Sequence, residues 1–268
     1  MSSTCRWVRC GGCVRRWTSA AASPCSRPAA RKRRGSCPPS CDAARNLRYR
    51  RFVSSSLQVT DQIKPRLRGW LHFGAAPLSF VLGLGLLAAT PTTAERVAVA
   101  IYVFTTVMLF SVSASYHLGA GGPKVNAFLN RLDHANIYLF IAGSYTPFAV
   151  ALGGTQGWII LALVWTIAAI GLIARVTWRG APRWLAVGSY IGLGWVAIFF
   201  LPAIWQAFGA GVVMLMALGG LLYTAGGVVY ARKKPTFHEG WFGFHELFHA
   251  LTIAAFLAQF IAIAITVT

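Results

Sequence analysis

The chain has 268 residues, of which 56% are hydrophobic and only 12% charged, whereas about a quarter of an average soluble domain is charged. That composition identifies an integral membrane protein and excludes an ordinary soluble domain. The net charge of +19 does not point to nucleic acid: up to Arg68 there are 16 Lys/Arg against Asp42 and Asp61, and the rest of the chain holds nine basic residues and four acids, too sparse for a patch that neutralises a phosphate backbone.

Residues 1–65 form a basic head rich in Cys, Ser and Arg, with Arg31-Lys32-Arg33-Arg34 at its middle and no apolar core of a secretory signal. It reads as disordered. Its composition fits a transit peptide and equally fits translated sequence upstream of the working start, so the head is expected to lie outside the working protein. All six cysteines (Cys5, Cys10, Cys13, Cys25, Cys37 and Cys41) fall here. Cys10-Gly-Gly-Cys13 and the Cys37/Cys41 pair do not make a persuasive zinc site, because the second spacing is not CxxC and no apolar periodicity surrounds either.

From Trp70 onward the chain reads as apolar runs of roughly 20 residues, the length a helix needs to cross the hydrocarbon core. Seven are expected, at 70–90, 97–118, 131–152, 157–175, 184–205, 208–230 and 243–266. Residues 66–268 are thus an all-α membrane domain, a seven-transmembrane helix bundle in a multi-pass protein of the plasma membrane. Of the nine basic residues after Arg68, eight border even-numbered loops: Lys124, Arg131, Arg175, Arg179, Arg183, Arg232, Lys233 and Lys234. Short cytoplasmic loops collect Lys and Arg, so the N-terminus is expected inside and the C-terminus outside.

Ionisable residues within membrane segments mark functional sites, since exposing them to lipid is unfavourable. His72 opens span 1, His117 ends span 2, Asp133 and His134 open span 3, and His245, Glu246 and His249 open span 7. The end of an even span and the start of an odd one lie on the same side, so parity gathers all these groups at one face, which the basic loops make cytoplasmic. His245-Glu246-Leu247-Phe248-His249 satisfies the HExxH pattern of zinc proteases. Its two histidines project from one helix face about 6 Å apart along the axis, which suits two ligands of one ion. No His, Asp, Glu or Cys follows His249, so a third ligand has to come from upstream, and His117 has the right depth. Ser113 precedes His117 by one turn, where a hydroxyl can support the imidazole or a water; Asp133 can hold or deprotonate that water. Blander roles are open to both: Ser113 as a small residue for close helix packing, Asp133 as a partner of Arg131 or of the helix dipole. His72 suits an interfacial belt beside Trp70, His134 points elsewhere than Asp133, and His238 belongs to a polar loop.

"SASYH", "LDHANIYLFIAGSYTPF" and "FHELFHALTIAAF", in this order on spans 2, 3 and 7, resemble the hemolysin III family, the bacterial branch of the progestin and adipoQ receptor (PAQR) superfamily, more distantly similar to alkaline ceramidases. The resemblance covers about residues 66–268. It implies a seven-helix bundle with Zn2+ held by His117, His245 and His249, and with Asp133 and Ser113 beside the zinc water. It also implies that Glu246 is dispensable for the zinc chemistry, so that the HExxH is an intramembrane HxxxH. Three functions follow as expectations: a zinc-dependent hydrolase of a membrane lipid amide such as a ceramide, a pore-forming cytolysin as in the family's name, or a non-catalytic receptor or membrane-homeostasis protein in which zinc ties spans 2 and 7 together.

Overall fold

The computed structural model describes residues 8–10, 13–15, 67, 69–119, 121–178, 180, 182–235 and 241–268, and the chain divides into two units at residue 63. In the first, β1 (Val8–Cys10) pairs antiparallel with β2 (Cys13–Arg15), with Cys10 opposite Cys13. The disorder expected of the rest of the head, and the Cys37/Cys41 pair, lie outside the described residues.

In the second unit the apolar runs are helices: α1 (Trp70–Ala89), α2 (Thr93–Leu118), α3 (Pro123–Leu152), α4 (Gly154–Thr177), α5 (Arg183–Gly194), a 3-10 turn (Val196–Phe200), α6 (Leu201–Arg232) and α7 (Phe244–Val267). Local sequence sets the ends. Thr92 caps α2, its hydroxyl oxygen accepting the Glu95 N–H at 3.2 Å, as a Ser/Thr-x-x-Glu capping box requires. Gly119 terminates α2 in the left-handed conformation at φ 76°, which a residue without Cβ adopts at no steric penalty, and Pro123 starts α3 where its missing N–H is not needed.

Among the described residues six helical stretches are long and apolar enough to cross a membrane. The expected fifth and sixth spans fall together in one of them, Arg183–Arg232, 50 residues long. At 1.5 Å per residue that would reach about 75 Å if straight, more than twice a hydrocarbon core. It is not straight. The 3-10 turn follows α5, and Gly209, at φ 76° and ψ 176°, breaks the helical path inside α6. The two ends meet: the Arg183 guanidinium lies 5.0 Å from the centre of the Tyr230 ring. Tyr190 near the start and Tyr230 near the end both bond His134, through its carbonyl oxygen at 3.1 Å and its Nε2 at 3.2 Å. The stretch therefore runs away from His134 and returns to it.

Sequential helices pack on one another, and α7 closes against α1 and α3. Tyr102, Phe110, Phe140 and Phe256 fill the space between them, with the Phe110 ring edge-on to Phe256 at 5.4 Å. Apolar side chains also cover the outside: Val81, Phe104, Ile170 and Phe199 are exposed, the pattern expected where lipid rather than water is the solvent. Exposed tryptophans sit near the helix ends, Trp70, Trp178, Trp184 and Trp241 at the His134 end and Trp158 and Trp205 at the other, as in interfacial belts. Buried hydroxyls return their protons to the helix backbone: Thr105, Thr106, Thr146 and Thr252 each donate to a carbonyl oxygen one turn back, so no lipid-depth hydroxyl in this group lacks an acceptor.

Candidate metal centre

Two of the helix ends carry three imidazoles into one small volume. His117 stands in the last turn of α2, just before the Gly119 stop; His245 and His249 stand in the first two turns of α7. One nitrogen from each ring lies within 4.8 Å of the others. The ring centres form a nearly regular triangle, 4.5 Å from His117 to His245, 4.5 Å from His245 to His249 and 5.1 Å from His117 to His249. His117 and His249 are buried and His245 half-buried.

The shortest contact bears on what the trio can hold. His117 Nε2 and His245 Nε2 are 3.0 Å apart. In a tetrahedral zinc centre with Zn–N distances near 2.0–2.1 Å, neighbouring ligand nitrogens lie about 3.3 Å apart. The spacing in the trio brackets that value, the donors are the neutral imidazoles that borderline divalent ions prefer, and burial keeps competing water low. The residues fit a zinc-type ion, which His117, His245 and His249 would hold.

Asp133, on the first part of α3, stands off from the trio. Its Oδ2 is 4.0 Å from His117 Nε2 and 4.0 Å from His134 Nδ1, beyond hydrogen-bond length but short enough for one water to bridge. The Ser113 side chain, one turn before His117 and buried, lies beside this carboxylate. Arg175, at the end of α4, is near enough to act on it electrostatically. The five residues expected from the sequence, His117, His245, His249, Asp133 and Ser113, are thus neighbours in space at one end of the bundle.

Glu246 has another use. Its Oε2 accepts the backbone N–H of Gly243 at 2.9 Å, and the side chain is 1% exposed. An acid three residues into a helix that bonds the residue before it is half of a capping box, and it also complements the positive end of the helix dipole.

His134, expected to point elsewhere than Asp133, brings its Nδ1 as close to that carboxylate as His117 Nε2 is, while its hydrogen bonds go to other groups. Its Nδ1 donates to the Asn130 carbonyl oxygen at 2.8 Å, a contact that fixes the tautomer because a carbonyl only accepts, and its Nε2 then accepts the Tyr230 hydroxyl. His238 lies outside the described residues. His72 differs from the interfacial role read for it: it is 3% exposed, and its ring lies flat on that of His249. Tyr230 is also new to the site, with its ring 5.8 Å from that of His245. Beside the site a cleft of about 490 Å³ opens between the ends of α2, α3 and α4, lined among others by Tyr116, Asn130, Arg131 and Arg175.

Comparison with known proteins places the chain in a family. The family described as haemolysin-III related matches residues 60–260. Hemolysin-3 of Bacillus cereus is 31% identical over 176 residues, covering 64% of this chain and 76% of that protein. A hemolysin-3 homolog of Bacillus subtilis (strain 168) is 30% identical over 141 residues, covering 52% of this chain and 63% of its own length.

Proposed function

Because the chain belongs to the haemolysin-III related family, and because its polar groups converge where its helices end, we propose that it is a zinc-binding membrane hydrolase that cleaves the amide of a ceramide-like lipid, with its site at the cytoplasmic face of the plasma membrane. The observation that carries the reading is the buried triangle of His117, His245 and His249 with the Asp133 carboxylate 4.0 Å from His117. An ion bound there supplies Lewis acidity to a carbonyl and to water. The protein's own groups do the rest. Asp133 accepts a proton from the attacking water and is placed to return it to the departing amine. The Ser113 hydroxyl, beside the carboxylate, is placed to support it or the water.

The same proposal includes seven spans. Arg183–Arg232 begins and ends beside His134, which supports two crossings by α5 and α6 in place of one. With basic Arg131, Arg175, Arg183 and Arg232 all at the site end, the positive-inside rule puts that end in the cytoplasm and Thr268 outside.

The test is made on the purified full chain: zinc by elemental analysis and cleavage of a fluorescent ceramide. About one zinc per chain with turnover above that of an Asp133→Asn sample supports the reading. Protein without zinc overturns it, and zinc without turnover across several lipid amides leaves the ion to tie α2 to α7 in a receptor or homeostasis protein. The name carried by the Bacillus cereus relative, hemolysin-3, favours one alternative, a pore-forming cytolysin. Release of a trapped dye from liposomes by the purified chain, unaffected by chelation of zinc, would favour it.

A further inference from the structure

The chemistry proposed above leaves His72 unused. This residue stands in the first turn of α1 and is 3% exposed. Its ring is parallel to that of His249 within 4°, with centres 3.8 Å apart, and its other side meets the edge of Phe110 at 5.0 Å. Neither Nδ1 nor Nε2 has a hydrogen-bond partner among the described residues. His72 also does not belong to the set of nitrogens that lie mutually within 4.8 Å.

These facts conflict if His72 is only packing. A phenylalanine would make both ring contacts equally well, while a histidine leaves two buried nitrogens desolvated without return. Buried polar atoms that the protein does not satisfy are commonly satisfied by water or by a ligand. The ring in question covers one face of a residue proposed to hold the ion. It therefore lies against the trio, beside any molecule that the trio holds.

Resting on the metal-centre reading, we infer that His72 is a ligand-contacting histidine: a ring nitrogen hydrogen-bonds a hydroxyl or amide group of the molecule bound beside the ion, or the water that precedes it, and the stack on His249 sets where that nitrogen points. The chemistry it recognises is a small polar headgroup with a donor and an acceptor at the end of an acyl chain. The site is thus built from α1, α2, α3 and α7, and the specificity for a polar headgroup has its own residue.

The experiment uses the full chain with cobalt(II) in place of zinc, whose visible absorption reports the ligands around the ion, and octanohydroxamate as the probe. His72→Phe keeps the stack and removes the nitrogens. It is expected to bind one cobalt with affinity within about threefold of the parent, and to bind the probe roughly tenfold or more weakly, the loss that goes with one unmade hydrogen bond in a dry site. His72→Gln, which restores a donor and an acceptor without the ring, recovers part of the probe affinity and serves if the Phe variant does not fold. A changed cobalt spectrum before any probe is added, with unchanged probe affinity, assigns the nitrogen to the water. A Phe variant equal to the parent in spectrum and probe affinity overturns the inference and leaves His72 as packing. Loss of cobalt from it overturns the inference in favour of a fourth ligand. A parent that binds no cobalt overturns the functional reading itself, a result distinguishable from both.

Discussion

The backbone N–H of Gly243 donates to Glu246 Oε2 at 2.9 Å, so the acid inside the HExxH stretch serves the start of its own helix. A zinc protease would need that carboxylate as its general base; here it closes the first turn of α7 and so positions His245 and His249. Gln also serves at the third position of a capping box. Glu246→Gln is therefore expected to keep the Gly243 cap and to leave bound metal and turnover unchanged. Glu246→Ala leaves the Gly243 N–H unpaired and lowers stability by about 1 kcal/mol, seen as a lower apparent melting temperature with metal retained. A metal-loaded but inactive Glu246→Gln would return the acid to the role of base.

Helices α2 and α3 approach closely where Gly143 faces Thr105: a Cβ at Gly143 would collide with the Thr105 side chain. That side chain is pinned, because its hydroxyl donates to the carbonyl oxygens of Ile101 and Tyr102, 3.0 Å from each. Small residues at such crossings let membrane helices pack without a hydrophobic driving force. Gly143→Ala is expected to destabilise the bundle by about 1–3 kcal/mol through overpacking. Adding Thr105→Ala should recover part of that loss, since it removes the atom struck. Non-interacting effects in this double-mutant cycle, read from unfolding in mixed detergent, would contradict the contact.

The parity of apolar runs was enough to bring His117, Asp133, His245 and His249 to one end, because depth in a membrane follows from counting residues along α-helices of known rise. The same count placed His72 at that depth. What it lacked was rotation about the α1 axis, which is set by how α1 leans on α2 and α7. With an exposed Trp70 two residues away, the belt reading was the simpler one. The use of Glu246 was legible in principle, as an acid three residues past Gly243, but the metal motif masked the cap. The boundary near 205–208 corresponds to the Gly209 break. The return of the chain to His134, through Tyr190, Tyr230 and Arg183, depends on tertiary contacts between residues up to 96 positions apart and has no local signature.

Orientation gives a further test. On the proposed topology the four arginines at the site end face the cytoplasm, where positive charge is retained, and seven crossings put Thr268 on the opposite side. Alkaline phosphatase fused after Thr268 is expected to be active, and a green fluorescent protein fused there to be dark. Bright fluorescence with silent phosphatase would reverse the topology or remove one crossing.

Asp133 and the trio should respond to mutation in opposite ways, which separates holding the ion from using it. His117→Ala, His245→Ala or His249→Ala removes one of three nitrogens from the cluster. Two remaining imidazoles hold zinc poorly, so bound metal should fall by more than about tenfold. Asp133 is 4.0 Å from the nearest imidazole nitrogen of the trio and is not one of its members. Asp133→Asn keeps the shape, but it cannot take a proton. Metal content should therefore stay near that of the parent while ceramide cleavage falls by about 10²–10⁴-fold, the contribution of a general base. Ser113→Ala changes a neighbour of the carboxylate without removing the carboxylate and should give a smaller loss, with metal again retained. An Asp133→Asn protein that keeps both metal and turnover would take the base away from Asp133, and one that loses the metal would make the carboxylate part of the cluster.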